Sequence, residues 1–101
     1  MSSNVLNHPL AAHHLAGLRS VKTSPPAFRE HIRQLATLLA VEASKQLPTR
    51  QCTVTTPLCG TDGHELAVTV GIIPILRAGL GMVDPLLDLI PQAQVWHLGL
   101  Y

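Results

Sequence analysis

Apolar residues recur at helical spacing in the first half of this chain and at strand spacing in much of the second. His8-Pro9-Leu10 reads as a helix entrance, because proline suits a first helical position whose N–H has no partner to lose. Leu10, His14, Leu15 and Leu18 then share a face, which predicts a short helix to about Arg19, with Gly17 weakening its last turn. Ser24-Pro25-Pro26 predicts a second, stronger helix with Ser24 as its cap. Phe28, Ile32, Leu35 and Leu39 form its apolar stripe and are expected to be core, with Arg29, Glu30, Arg33 and Gln34 opposite. Leu47-Pro48 is expected to end it.

From Gln51 to Thr56 the pattern changes to alternation, Cys52 and Val54 against Thr53 and Thr55, as in an exposed strand that Pro57 ends or restricts to an edge. Cys59 to His64 holds Gly60, Asp62 and Gly63 and is expected to be the turn of a hairpin arm over 51–70. Leu66 to Ile73 runs almost without a polar residue, the mark of a central parallel strand covered on both faces. Leu80, Val83, Leu87 and Ile90 predict a helix, in which Pro85 is discordant. Either that helix begins later than Gly79 or it is kinked. Pro91 closes it, and Gln94 to Tyr101 is expected to be a second core strand. Strand, helix and strand in this order imply a right-handed parallel crossover.

At the join between the apolar strand and the third helix stands one cation, Arg77, followed by Ala78 and Gly79. A strand that delivers an arginine to a glycine-containing turn before a helix is a way to build an anion site. The guanidinium offers a fork of donors and the helix start offers unpaired N–H groups. Standing alone, Arg77 would be read as pairing with a carboxylate such as Asp84 or capping helix carbonyls, and Gly79 and Gly81 as easing a turn.

Composition narrows the classes. The chain has 101 residues, 47% hydrophobic and 3% aromatic, so one small domain is expected, with a core of Leu, Ile, Val and Ala. Seven basic against six acidic residues, spread along the chain, leave no basic stripe for nucleic acid. The longest nearly uncharged run, 66–76, is too short for a bilayer, which needs about 20 residues. The N-terminus carries no secretion signal, so Cys52 and Cys59 are expected to be reduced thiols in a cytoplasmic chain. His8, His13 and His14 lie close together but without the Cys or carboxylate partners of a metal site, and His64-Glu65 has no second His at helical spacing. No metal ligands are therefore assigned. His8 and His13 are given surface or helix-end roles, and His97 the role of a buried, satisfied imidazole. Asp84 and Asp88 share a helical face and are read as solvated charges rather than an acid–base pair.

Three blocks resemble the N-terminal part of a uracil phosphoribosyltransferase. They are His8-Pro9-Leu10 with His13 and Leu15; Phe28-Arg29-Glu30 with Leu38-Leu39 and Glu42-Ala43; and Pro74 to Met82, extended by Ile90-Pro91 and His97 to Tyr101. The resemblance implies an α/β fold: the N-terminal part of a phosphoribosyltransferase-type parallel sheet, with N-terminal helices and a β-hairpin arm. On that reading residues 1–47 are a helical segment, 51–70 the arm and 66–101 the start of the core. It implies a glycosyltransferase of pyrimidine salvage that joins uracil to phosphoribosyl pyrophosphate, giving UMP and pyrophosphate, with Mg²⁺ bound alongside the activated sugar. Arg77, Ala78 and Gly79 would bind phosphoribosyl pyrophosphate, and no catalytic residue is assigned within the chain. The resemblance also implies a homo-oligomer when complete, with neither nucleic acid nor membrane as partner. The family's ribose-phosphate loop and uracil-binding segment have no counterpart in these residues, and the chain stops at Tyr101 in or just after a strand. A portion that is inactive alone is therefore expected. The alternative is a non-catalytic module for anion binding or subunit assembly.

Overall fold

The structure is a computed structural model that describes residues 5–76, 80–96 and 98–99. Helix α1 spans Pro9–Arg19 and helix α2 Pro25–Ser44. Both begin where local chemistry places them. The His8 ring accepts a hydrogen bond from the Leu10 N–H at 3.1 Å, and the Ser24 hydroxyl accepts one from the Ala27 N–H at 3.4 Å. Each cap satisfies a donor that a helix start leaves unpaired. α2 stops at Ser44, earlier than Leu47-Pro48 suggested.

Strands β1, Thr49–Thr55, and β2, Gly60–Leu66, form an antiparallel hairpin with Cys52 opposite Gly63 and Arg50 opposite Glu65. The expected turn at Cys59 to His64 is corrected, because most of that stretch is strand. The chain reverses over Thr56 to Cys59, where the Thr56 N–H donates to the Cys59 carbonyl at 2.9 Å. The Thr56 hydroxyl donates to the same carbonyl at 2.6 Å and accepts from the Leu58 and Cys59 N–H groups at 3.3 and 3.0 Å. One threonine side chain thus satisfies the turn's backbone. Gly63 serves packing instead: a Cβ there would come within 2.8 Å of Val54 Cγ2. The hairpin projects from the body. The radius of gyration is 17.2 Å, against about 13 Å for a compact chain of this length.

The long apolar run yields two short strands, β3 at Gly71–Ile72 and β4 at Ile75–Leu76. A 3₁₀ turn at Leu80–Met82 and helix α3, Val83–Leu89, lead on to β5 at Gln94–Val95 and β6 at Leu98–Gly99. β3 pairs with β5 and β4 with β6, both in parallel. This is the α/β, parallel-core arrangement expected of the sequence. The expected continuous strand from Leu66 to Ile73 is corrected. Leu66 belongs to the hairpin, and the parallel ladder starts where the Val70 carbonyl accepts from the Gln94 N–H at 2.9 Å. Pro74, with no N–H to donate, lies in the gap between β3 and β4. Burial is one-sided as well: Ile72 is buried whereas Ile73 is 61% exposed. Pro85 falls in the first turn of α3, where its missing N–H is not needed, and is fully buried there. The helix therefore starts late rather than kinking.

α2 packs against α1, the 3₁₀ turn and α3. Its buried residue is Ala36, while Ile32 and Leu35 are half-buried. Phe28 and Leu39, expected in the core, are 45% and 44% exposed. The apolar stripe is wider than two short neighbouring helices can cover, so its flanks stay in solvent. None of the described helices is long and apolar enough to cross a membrane.

Candidate functional site

Arg77, Ala78 and Gly79, the residues assigned to an anion, lie outside the described residues, as do His97 and Tyr101. The flanks are described. β4 ends at Leu76, and the next described element is the 3₁₀ turn starting at Leu80. In the sequence, 77–79 come directly after β4, whose carboxyl end lies on the edge of the sheet where ligands gather in open α/β folds. Beyond it a 3₁₀ turn comes first, and α3 proper begins only at Val83.

Beside this edge lies an open groove of about 620 Å³ between the C-terminal end of α2, the parallel strands and α3. Ala43, Leu47, Ile73, Ile75, Leu86 and Ile90 are among its lining, and Ser44 is the one polar side chain among the described residues that line it. The described part of this surface is suited to apolar cover.

Among the described residues, the charged groups around the site lie on the surface. Asp88 pairs with Arg33 of α2 at 3.5 Å, both well exposed, and Asp84 sits exposed in the first turn of α3. Cys52 and Cys59 are free thiols. Among the described residues no group of three His, Cys, Asp or Glu side chains is arranged to hold a metal ion.

Away from this edge the structure brings together a set the sequence did not announce. His14 of α1 and His31 of α2 face each other with their Nδ1 atoms 2.9 Å apart, so one nitrogen donates a hydrogen bond to the other. The His13 ring stands 5.0 Å from that of His14 and 6.0 Å from that of His31, centroid to centroid. Partial burial, and then the charges His13 and His31 can carry, hold the His14 pKa below its ordinary 6.5, with Glu30 opposing. Two signals bore on this contact: His14 and His31 on neighbouring predicted helices, and Gly17 three residues beyond His14. The glycine lets the His31 ring lie against α1, where a Cβ would collide with it.

Known proteins resemble this chain along nearly all of its length. The family model described as uracil phosphoribosyltransferase matches residues 5–101. The uracil phosphoribosyltransferase of Roseiflexus sp. (strain RS-1) is 55% identical over 97 residues, covering 96% of this chain and 47% of that protein. The enzyme of that name from Bacillus licheniformis is 47% identical over 98 residues, with the same coverage of each. A solved structure of an Aquifex aeolicus protein superposes with a TM-score of 0.85 at 32% identity, covering 93% of this chain and 46% of the other. The chain thus spans about half the length of the curated relatives it matches.

Proposed function

The chain belongs to the uracil phosphoribosyltransferase family, and from that we propose that it carries the diphosphate-binding side of an enzyme making UMP and pyrophosphate from uracil and phosphoribosyl pyrophosphate. The observation that carries the proposal is the family match over residues 5–101, which takes in Arg77, Ala78 and Gly79, the residues that follow β4 in the sequence. In the reaction the bond from the ribose anomeric carbon to the diphosphate oxygen breaks, and a bond to a uracil nitrogen forms as that nitrogen loses its proton. Negative charge grows on the departing diphosphate while the sugar becomes cationic. The Arg77 guanidinium is assigned to that charge, which it stabilises most at the moment of departure. Ala78 and Gly79 are small enough for the diphosphate to approach the backbone. Mg²⁺ is placed on the substrate as the diphosphate's counter-ion, in keeping with its habit of binding through phosphate oxygens. Its contribution when bound is charge neutralisation.

No base for the uracil proton and no ribose-phosphate site is assigned within these 101 residues. We therefore infer that the chain by itself does not complete the reaction. Its place is the cytoplasm, and its partners are the two substrates and further copies of the family fold. The test is an assay of UMP formation by the purified chain, together with a calorimetric titration with pyrophosphate. Pyrophosphate binding that disappears in Arg77→Ala, without turnover, is expected. Turnover would overturn the inactivity, and absent pyrophosphate binding would overturn the site.

A second reading is favoured by the groove. A module that assembles on a complete subunit of the same family would use an open apolar face that needs cover. Its relatives have about as much chain again beyond the matched part. Co-purification with an intact homologue, in the absence of pyrophosphate binding, would favour this reading over the first.

A further inference from the structure

α1 lies along α2 but buries little apolar side chain there. Ala11 is its buried residue, and Leu10 and Leu15 are 52% and 39% exposed. Besides this small apolar contact, the hydrogen bond between His14 and His31 joins it to α2, and the Thr23 hydroxyl, in the connection before α2, donates to the Gly17 carbonyl at 2.5 Å. The first of these depends on protons. With both imidazoles neutral, one Nδ1–H donates to the other's lone pair. With a single added proton the bridge survives, now as an imidazolium donating to a neutral ring, a stronger bond. A second proton leaves two N–H donors facing each other with no acceptor between them and two positive charges at contact distance.

We propose that the facing imidazoles of His14 and His31 form a proton-operated latch that holds α1 on α2 while they share at most one added proton and releases it when both are protonated. The groups that face the pair set where it opens. His13, on α1 itself, carries a third imidazole 5.0 Å from His14 and opposes the second proton. From α2, Glu30 favours it, although its carboxylate is already engaged by the Gln34 side-chain amide at 2.8 Å. The depressed His14 value agrees in sign. A group whose pKa is lowered by folding adds stability above its ordinary value, here 6.5, and loses it as pH falls through the lowered one. The latch is therefore shut at neutral pH and opens on the acid side of the ordinary histidine range. Because the two rings interact directly, they titrate as a pair in two steps rather than as two independent residues.

The test is histidine ¹⁵N NMR and amide exchange on the full 101-residue chain, from about pH 7.5 to about pH 5. At the upper end a scalar coupling between the two Nδ1 nitrogens is expected, together with protection of the α1 amides. Through the second protonation that coupling should vanish and the α1 protection factors should fall about tenfold or more, while α2 stays protected. His31→Asn should remove the pH dependence of α1 protection. His13→Asn, which leaves the bridge intact but removes a repelling charge, should move the release to higher pH. Independent single-site titration of His14 and His31 would overturn the proposal. So would an unprotected α1 at the upper pH, or the same pH profile in His31→Asn.

Discussion

The Gly17 α-carbon lies so close to the His31 ring that a methyl group on it would overlap three of the ring's atoms. A glycine inside a helix costs about 1 kcal/mol relative to alanine. Here that cost is the condition for bringing an imidazole from α2 up to α1, where His14 bonds to it.

Gly17→Ala therefore sets two effects of similar size against each other. Alanine gains about 1 kcal/mol in helix propensity, and the displaced ring loses a hydrogen bond of about the same worth. Thermal denaturation should show little net change, while the coupling between the two rings disappears from the histidine NMR spectrum. A variant that keeps the coupling would show that the ring does not need the space.

Thr56 makes the hairpin turn with its hydroxyl as donor and acceptor at once. Thr56→Ala should lower the local stability of the β1–β2 arm by about 1 kcal/mol, read as faster amide exchange along the arm. Thr56→Ser, which keeps the oxygen, should restore most of it. Equal losses in both would place the effect in the methyl group instead.

Pro85 is fully buried at a position where its ring costs α3 no hydrogen bond. Pro85→Ala should destabilise by about 1–2 kcal/mol, through lost packing and a less restricted unfolded chain. For a domain of this size that is a fall in Tm on the order of 5–10 °C. A rise in Tm would mean that the proline strains the helix it begins.

Arg77→Ala should weaken pyrophosphate binding about 10- to 100-fold, the usual worth of a charge-assisted contact, with thermal stability unchanged. Calorimetry and a melting curve on the same sample separate the two effects. Unchanged affinity in a folded variant removes Arg77 from the site.

Ser24 and the prolines after it, and His8 before Pro9, marked the helix starts in the sequence because a cap acts over two or three residues of chain. The strand–helix–strand order around Pro85 was legible for a related reason: helical and extended segments differ in their apolar period. The segment around Arg77 was legible as a motif and lies outside the described residues. What tertiary structure decided is whatever depends on distant partners. Gly60 and Gly63 look like a turn in isolation, yet pairing with Thr55 and Cys52 makes them strand and leaves the reversal to Thr56. Phe28 and Leu39 belong to an apolar stripe, but burial depends on how much surface α1 and α3 can cover. The bond between His14 and His31 joins residues 17 positions apart. Only the packing of α1 on α2, with a glycine giving way at the crossing, could bring them into contact.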